Sequence, residues 1–180
     1  ASVTYALMIL VMVSAPLAMV YICGYSTAEA TVVIQWHAVA MFAPSFITGS
    51  VIARLGAKLT AAVGLLLIIA AAAVNLTGIS VAHFTVALVL LGVGWNFGFI
   101  ASTAMLSMVY RPEEAARVQG LNEQVVFGVM ALASLSSGLL LDRFGWEAIN
   151  VLAIPVAGAA ILMLALSGTA RGSGRRAPAT

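Results

Sequence analysis

The chain has 180 residues, of which 63% are apolar and only 8% are charged, and its formal net charge is +2. An ordinary soluble domain carries roughly 25% charged residues, so this composition excludes a soluble fold. Five charge-free runs occupy residues 1–28, 30–53, 59–110, 124–141 and 148–170. Because about 20 apolar residues cross a hydrocarbon layer roughly 30 Å thick, these runs predict an all-α membrane protein.

Six transmembrane helices are predicted in order along the chain. Span one covers 2–22 and contains Pro16, which is expected to kink it, and span two covers 33–53. The run 59–110 is long enough for span three at 59–77 and span four at 83–109, separated by a turn at 77–80. Spans five and six are predicted at 118–141 and 146–167, joined by a tight loop at 142–145. Residues 1–167 therefore form the predicted bundle, and residues 168–180 form a disordered tail.

The positions of the basic residues orient the predicted spans. The loops at 54–58 and 111–117 and the C-terminal tail lie on the same side of the predicted bundle as the first residue, and together they hold seven of the eight Lys and Arg residues. The other side holds one. The seven are Arg54, Lys58, Arg111, Arg117, Arg171, Arg175 and Arg176, and the exception is Arg143. Since basic loops stay in the cytosol, both termini are predicted to be cytosolic.

Two octets of similar pattern indicate an internal repeat. Residues 49–56 and 138–145 both read Gly, three residues that are apolar except for Ser50, Ala or Asp, Arg, any residue and Gly, and they lie 89 residues apart. Three predicted spans separate them, so the two loops face opposite sides of the membrane. This predicts two inverted three-helix repeats, at about 1–80 and 81–167. The alternative is that Gly and Arg simply punctuate helical hairpins.

These spans and loop motifs resemble the C-terminal six-helix half of a major facilitator superfamily transporter. The loop at 112–117 and the pair Gly145 and Trp146 fit that half. The runs at 37–46 and 94–97 resemble a bacterial group of small-organic-molecule transporters, some of them linked to vitamin uptake. The resemblance implies alternating access in the plasma membrane (the bacterial inner membrane). One departure is Ala53, which replaces the acid that normally pairs with the loop arginine.

A polar and aromatic group in the middle of span four is the first candidate site. Asn96 lies fourteen residues before Tyr110, or about 21 Å along a helix, and therefore near mid-membrane. Such an amide either marks a ligand path or joins helices by hydrogen bonds. Trp95 and Phe99 either stack a planar substrate or pack against a neighbour. The predicted substrate path comprises Asn96, Trp95, Phe99, Thr103, Gln35 and His37.

Two titratable side chains are candidates for proton coupling. Glu123 is the only acid expected inside the bilayer, although it could instead pair with Arg117 or lie in the headgroup zone. His37 titrates near neutral pH, and the alternative is an interfacial histidine with a carbonyl partner. The predicted gating loops contain Arg54, Lys58, Glu113, Arg117, Asp142 and Arg143, with Glu113 acting first as a helix-start residue.

Small residues on two spans predict close helix packing. Gly94 and Gly98 form a G-x-x-x-G pattern in span four, and Ala131, Ser134 and Gly138 line one face of span five. Small residues at such spacing let neighbouring backbones approach one another.

Two functions are therefore considered. The first is half of a secondary active transporter that moves a small organic molecule, with proton coupling. Six helices cannot enclose a path, so this function requires a second six-helix half, from the same longer chain or another copy. The alternative is a non-transporting, transporter-like subunit that packs in a larger membrane complex. No catalytic set, phosphate loop or redox motif occurs, and two histidines do not make a metal site, so we expect no enzyme, cofactor, metal or nucleic acid partner.

Overall fold

The computed structural model describes residues 1–167 as a helical bundle. Its helices are α1 (Ser2–Leu17), which continues as a π-helical segment (Ala18–Ile22), α2 (Thr27–Phe42), α3 (Ser45–Leu55), α4 (Ala57–Thr77), α5 (Val81–Ser107) and α6 (Ala115–Leu166). A 3₁₀ turn, Pro112–Glu114, precedes α6. Within the described residues, four helices are long and apolar enough to cross a membrane, and α2 with α3 makes a fifth if that bent pair is one span. The tail predicted to be disordered lies outside the described residues.

The predicted span two is wrong in two respects. The helix begins at Thr27, six residues earlier than expected, because Ser26 and Glu29 form a capping box. The Ser26 backbone N–H donates to Glu29 Oε2 at 2.9 Å, and the Glu29 N–H donates to Ser26 Oγ at 3.2 Å. The helix also breaks at Ala43 and Pro44, where α2 and α3 meet at 45°. Proline lacks the N–H that a continuous helix needs at this point.

The predicted tight loop at 142–145 is present as a break between two helices, but it is shorter than expected. Helical structure continues through Asp142 and Arg143, and the only non-helical residue inside α6 is Gly145, with φ 79° and ψ 176°. Glycine adopts this left-handed φ without the steric cost that a Cβ would bring. A single residue therefore divides α6 into a first limb, 115–144, and a second limb, 146–166.

The first limb of α6 runs parallel to α1. The rings of Tyr5 and Phe127 lie 6.2 Å apart, and further along both helices Ser14 Oγ donates to the Ser137 carbonyl at 3.4 Å. Residue numbers therefore rise in the same direction along the two helices.

The second limb of α6 runs antiparallel to α4. Lys58 Nζ, at the start of α4, donates to the Ala165 carbonyl at 3.2 Å. At the other end of α4, Asn75 Nδ2 donates to Asn150 Oδ1 at 2.8 Å. Both members of this amide pair are buried, so the contact joins α4 and α6 inside the bundle.

The closest helix contact joins α4 and α5 through glycines. A Cβ placed on Gly64 would lie 2.5 Å from the Gly98 nitrogen and 2.6 Å from the Gly94 carbonyl oxygen. The packing role predicted for Gly94 and Gly98 is therefore confirmed. For span five the packing role stays a prediction, because within the described residues a Cβ on Gly138 would meet nothing within 4 Å and Ala131 is exposed.

Candidate functional site

Asn96 lies at the break between α2 and α3. The side chain is only 1% exposed, on α5. Its Nδ2 donates to the Met41 carbonyl and to Ser45 Oγ, both at 2.7 Å. Its Oδ1 accepts from Thr48 Oγ1 at 2.6 Å. One amide therefore binds the last turn of α2 and the first turn of α3.

The break explains why an amide is needed at this position. In a continuous helix the Met41 carbonyl would accept the N–H of Ser45, four residues on. The chain bends between them, and Pro44 supplies no N–H of its own. Since an unpaired backbone group costs several kcal/mol inside a bilayer, the Asn96 amide satisfies a carbonyl that the bend leaves without its helical partner.

Five rings next to this break form an aromatic cluster, defined as Tyr5, Phe42, Trp95, Phe99 and Phe127. Trp95 and Phe99 stack, with centroids 5.2 Å apart and planes at 7°. Tyr5 meets both edge-on, at 5.3 and 5.5 Å. Phe42 contacts Trp95 at 6.2 Å and is 63% exposed, and Phe127 is also exposed. The aromatic cluster thus has a packed centre and two open edges.

The indole N–H of Trp95 has no hydrogen-bond partner within residues 1–167. The residue is 7% exposed, and Nε1 itself is buried. A buried tryptophan N–H usually finds an acceptor. An unpaired donor is therefore present at the centre of the aromatic cluster.

His37 is buried between α2 and α5. Its Nδ1 lies 2.7 Å from the Leu88 carbonyl, and its Nε2 has no partner among the described residues. A carbonyl only accepts, so Nδ1 must carry the proton. Next to this contact, a Cβ on Gly92 would lie 2.8 Å from the His37 carbonyl oxygen, so α2 and α5 are in close backbone contact.

The other residues of the predicted substrate path separate into two places. Thr103 is half-buried one turn after Phe99, to whose carbonyl it donates at 3.0 Å. Gln35 is exposed and lines a groove of about 370 Å³ between α1 and α2, which Pro16 and Tyr21 also line. The structure therefore brings Asn96, Trp95, Phe99 and Thr103 together on α5 and leaves Gln35 outside that group.

The charged candidates lie on the surface of the described structure. Arg54, Glu113, Arg117, Glu123 and Asp142 are exposed, as is Arg143. The Glu123 carboxylate has no hydrogen bond or ion pair within residues 1–167. Glu114, not Glu113, caps the 3₁₀ turn, by accepting from the Arg111 N–H at 3.1 Å. Lys58 binds the carbonyl of Ala165 through its ammonium group.

Sequence reasoning missed several residues that the structure brings to this region. Neither Ser45 nor Thr48 was predicted as a site residue, although Ser45 directly follows Pro44, which marks the break, and Thr48 lies one helical turn after Pro44. Tyr5 and Phe127 join the aromatic cluster from two different helices, and no sequence pattern indicates that contact.

Broken apolar helices, glycine-mediated helix contacts and a satisfied amide deep in the bundle are the features of a multi-pass membrane protein. The chain belongs to the Major Facilitator Superfamily, whose sequence profile matches residues 1–180. This is a family of transporters rather than enzymes.

Comparison with curated proteins supports the same class. The chain is 47% identical over 163 residues to the riboflavin transporter RfnT of Brucella anthropi, covering 91% of this chain and 41% of that protein. It is 30% identical over 131 residues to the uncharacterized MFS-type transporter YdeG of Bacillus subtilis, covering 72% of this chain and 30% of the relative. It is 29% identical over 117 residues to the drug efflux pump JefA of Mycobacterium tuberculosis, covering 64% and 23%. The chain thus spans less than half the length of these relatives.

Proposed function

We propose that the chain is one half of a secondary active transporter that moves a planar heteroaromatic molecule of the flavin class by alternating access. The observation that carries this proposal is the stacked Trp95 and Phe99 pair with its unpaired, buried indole N–H. The similarity to a riboflavin transporter over 91% of the chain supports the choice of substrate class.

The aromatic cluster has the chemistry that a flavin-like ring requires. Aromatic contacts contribute about 0.5–1.5 kcal/mol each beyond their buried area, so a planar ring gains by entering at the exposed edge of Phe42 or Phe127. A flavin ring carries carbonyl and ring-nitrogen acceptors at its edge. If the bound ring brings one of these acceptors to Trp95 Nε1, the indole N–H donates a hydrogen bond to it. A hydrogen bond from a buried donor discriminates between ligands more strongly than apolar contact does.

We propose six membrane crossings in two inverted three-helix repeats for the chain. Gly56 and Gly145, which lie 89 residues apart, share a positive φ of 82° and 79° with extended ψ of 150° and 176°. The first limb of α6 ends beside the end of α1, at Leu17 and Gly138, and the second limb ends beside the start of α1, at Val3 and Ala160. The two limbs therefore run in opposite directions, which supports counting them as separate crossings. The distribution of basic residues supports placing both termini in the cytosol, and the bacterial relatives support a location in the inner membrane.

The partner in this proposal is a second six-helix half, from the same polypeptide or from another copy. Proton coupling through Glu123 or His37 is part of the proposal, because Glu123 is an unpaired acid and His37 has an unpaired ring nitrogen. Asn96 is proposed to support the path by holding the break in α2 and α3 beside Trp95. The exposed charges at Arg54, Lys58, Glu113, Arg117, Asp142 and Arg143 are proposed to meet the other half at the gates.

Riboflavin uptake by variants of Trp95 tests the proposal. The assay uses cells that cannot make or import riboflavin and that express the full-length reading frame containing this chain. Trp95→Phe keeps an aromatic ring but removes the N–H, and is expected to raise KM about 2–10-fold, the range for one hydrogen bond. Trp95→Leu also removes stacking and is expected to raise KM at least tenfold.

Trp146→Phe is the matched control. Trp146 is likewise buried with an unpaired Nε1, but it packs against Phe84, away from the aromatic cluster. Its KM is expected to stay at the wild-type value. Equal effects at Trp95 and Trp146 would refute the site, and absence of uptake by the wild-type protein would favour the non-transporting subunit.

A further inference from the structure

The segment α3 contacts the bundle through few side chains: Ser45 and Thr48 bind Asn96, and Ile52 packs against the cluster of Ala57, Ala61 and Ala101. Thr48 is its only buried residue, whereas Phe46 is 93% exposed and Ile47 and Leu55 are also exposed. A Cβ on Gly49 would meet nothing within 4 Å. The single buried side chain of α3 is therefore also the one whose hydroxyl binds Asn96.

Both ends of α3 are breaks between helices. At Ala43 and Pro44 the chain bends by 45° between α2 and α3, and Gly56, with φ 82°, separates α3 from α4. Helical hydrogen bonds continue up to each break, from the Ala43 N–H to the Val39 carbonyl and from the Gly56 N–H to the Ile52 carbonyl, so this helix of 11 residues is a separate segment between two breaks.

The helix before the break is held firmly by comparison. The α2 backbone touches α5 at Gly92, and His37 binds the Leu88 carbonyl at 2.7 Å. Neither contact extends past Pro44. Beyond that point, the hydrogen bonds between α5 and α3 both come from the Asn96 amide, to Ser45 and Thr48.

We propose that α3 is a gate segment that opens as a unit and that Asn96 is the latch that holds it closed. The latch sits between two parts of the aromatic cluster: Trp95 precedes Asn96 on α5, and Phe42 is the last residue of α2. A ring that enters between Phe42 and Trp95 moves the two sides of the break apart and pulls on the amide. The opening of α3 does not depend on the proposed function. Only the effect of a bound ring on the Asn96 amide rests on the proposed function.

Hydrogen–deuterium exchange of the full-length protein in nanodiscs tests the latch. Each interhelical hydrogen bond in a membrane changes the equilibrium constant between the packed and the separated helices by about threefold. Asn96 makes two such bonds to α3. Asn96→Ala is therefore expected to speed exchange of amides 45–55 about tenfold. Thr48→Val removes one bond and is expected to speed it about threefold, whereas Thr48→Ser keeps the hydroxyl and the wild-type rate.

Asn75→Ala is the control for general loosening of the bundle. Asn75 is a buried amide that binds Asn150 on α6, so its loss is expected to leave amides 45–55 at the wild-type rate. If Asn96→Ala leaves the α3 rate unchanged, or if Asn75→Ala raises it equally, the latch is refuted.

Riboflavin is the probe for the link to the substrate. Saturating riboflavin is expected to change exchange of amides 45–55 in the wild-type protein and not in Trp95→Leu. If riboflavin binds without changing the exchange of α3, the link between the aromatic cluster and the gate is refuted. If riboflavin does not bind while Asn96→Ala still gives the tenfold effect, the proposed substrate is refuted and the latch is supported.

Discussion

The contact between α4 and α5 depends on the absence of a side chain at Gly64. An added Cβ would lie 2.5 Å from the Gly98 nitrogen, 2.6 Å from the Gly94 carbonyl oxygen and 2.9 Å from the Gly98 Cα, and all three atoms belong to the backbone. Ordinary contact for such an atom is 3.4–4 Å, so Gly64→Ala requires the helices to separate by about 1 Å. No side-chain rotation relieves this contact.

The expected cost of Gly64→Ala is about 1–3 kcal/mol, the usual range for overpacking a well-packed interior. For a protein of this size, each kcal/mol shifts the melting temperature by about 2–4 °C. Gly64→Ala is therefore expected to lower the melting temperature of the detergent-purified protein by about 2–12 °C. Fluorescence-detected size-exclusion after heating gives the midpoint.

Gly128→Ala is the matched control because it adds the same methyl group in a helix, where the new Cβ meets nothing within 4 Å. Alanine is the better helix former by about 0.5–1 kcal/mol, so this variant is expected to keep or raise the melting temperature. If Gly64→Ala melts at the same temperature as Gly128→Ala, the α4 and α5 backbones are not in the contact described, and the reasoning fails.

Two further predictions concern buried amides and coupling. Asn150→Ala leaves the Asn75 Nδ2 without its acceptor and is expected to lower the free energy of unfolding by about 1–3 kcal/mol. Changing both Asn75 and Asn150 to Leu removes the unpaired donor and is expected to restore much of that stability. A double variant that melts no higher than Asn150→Ala would contradict this prediction. Glu123→Gln is expected to abolish the stimulation of riboflavin uptake by an imposed proton gradient, measured in proteoliposomes, whereas Glu147→Gln, at another exposed acid, retains it. Stimulation that survives in Glu123→Gln rules out Glu123 as the coupling acid.

Much of the helical architecture could be predicted from the sequence. Charge-free runs place α4 and α5 within two residues of their observed ends, because a bilayer requires about 20 apolar residues whatever the neighbours are. The start of α2 is harder to place, because the capping box uses Glu29 inside the helix, whereas a charge count treats it as part of the loop. The break predicted at 142–145 is present, but it is shorter than expected because Gly145 alone adopts the non-helical conformation.

The candidate site shows where sequence reasoning stops. The sequence by itself determined that Asn96 is an amide in an apolar helix and must find a hydrogen-bond partner. Only the tertiary structure decided that its partners are Met41, Ser45 and Thr48, which lie 48 to 55 residues away along the chain. The physical reason is that Pro44 breaks one helix and leaves a carbonyl unpaired, and the packing of α5 against α2 brings an amide to that carbonyl.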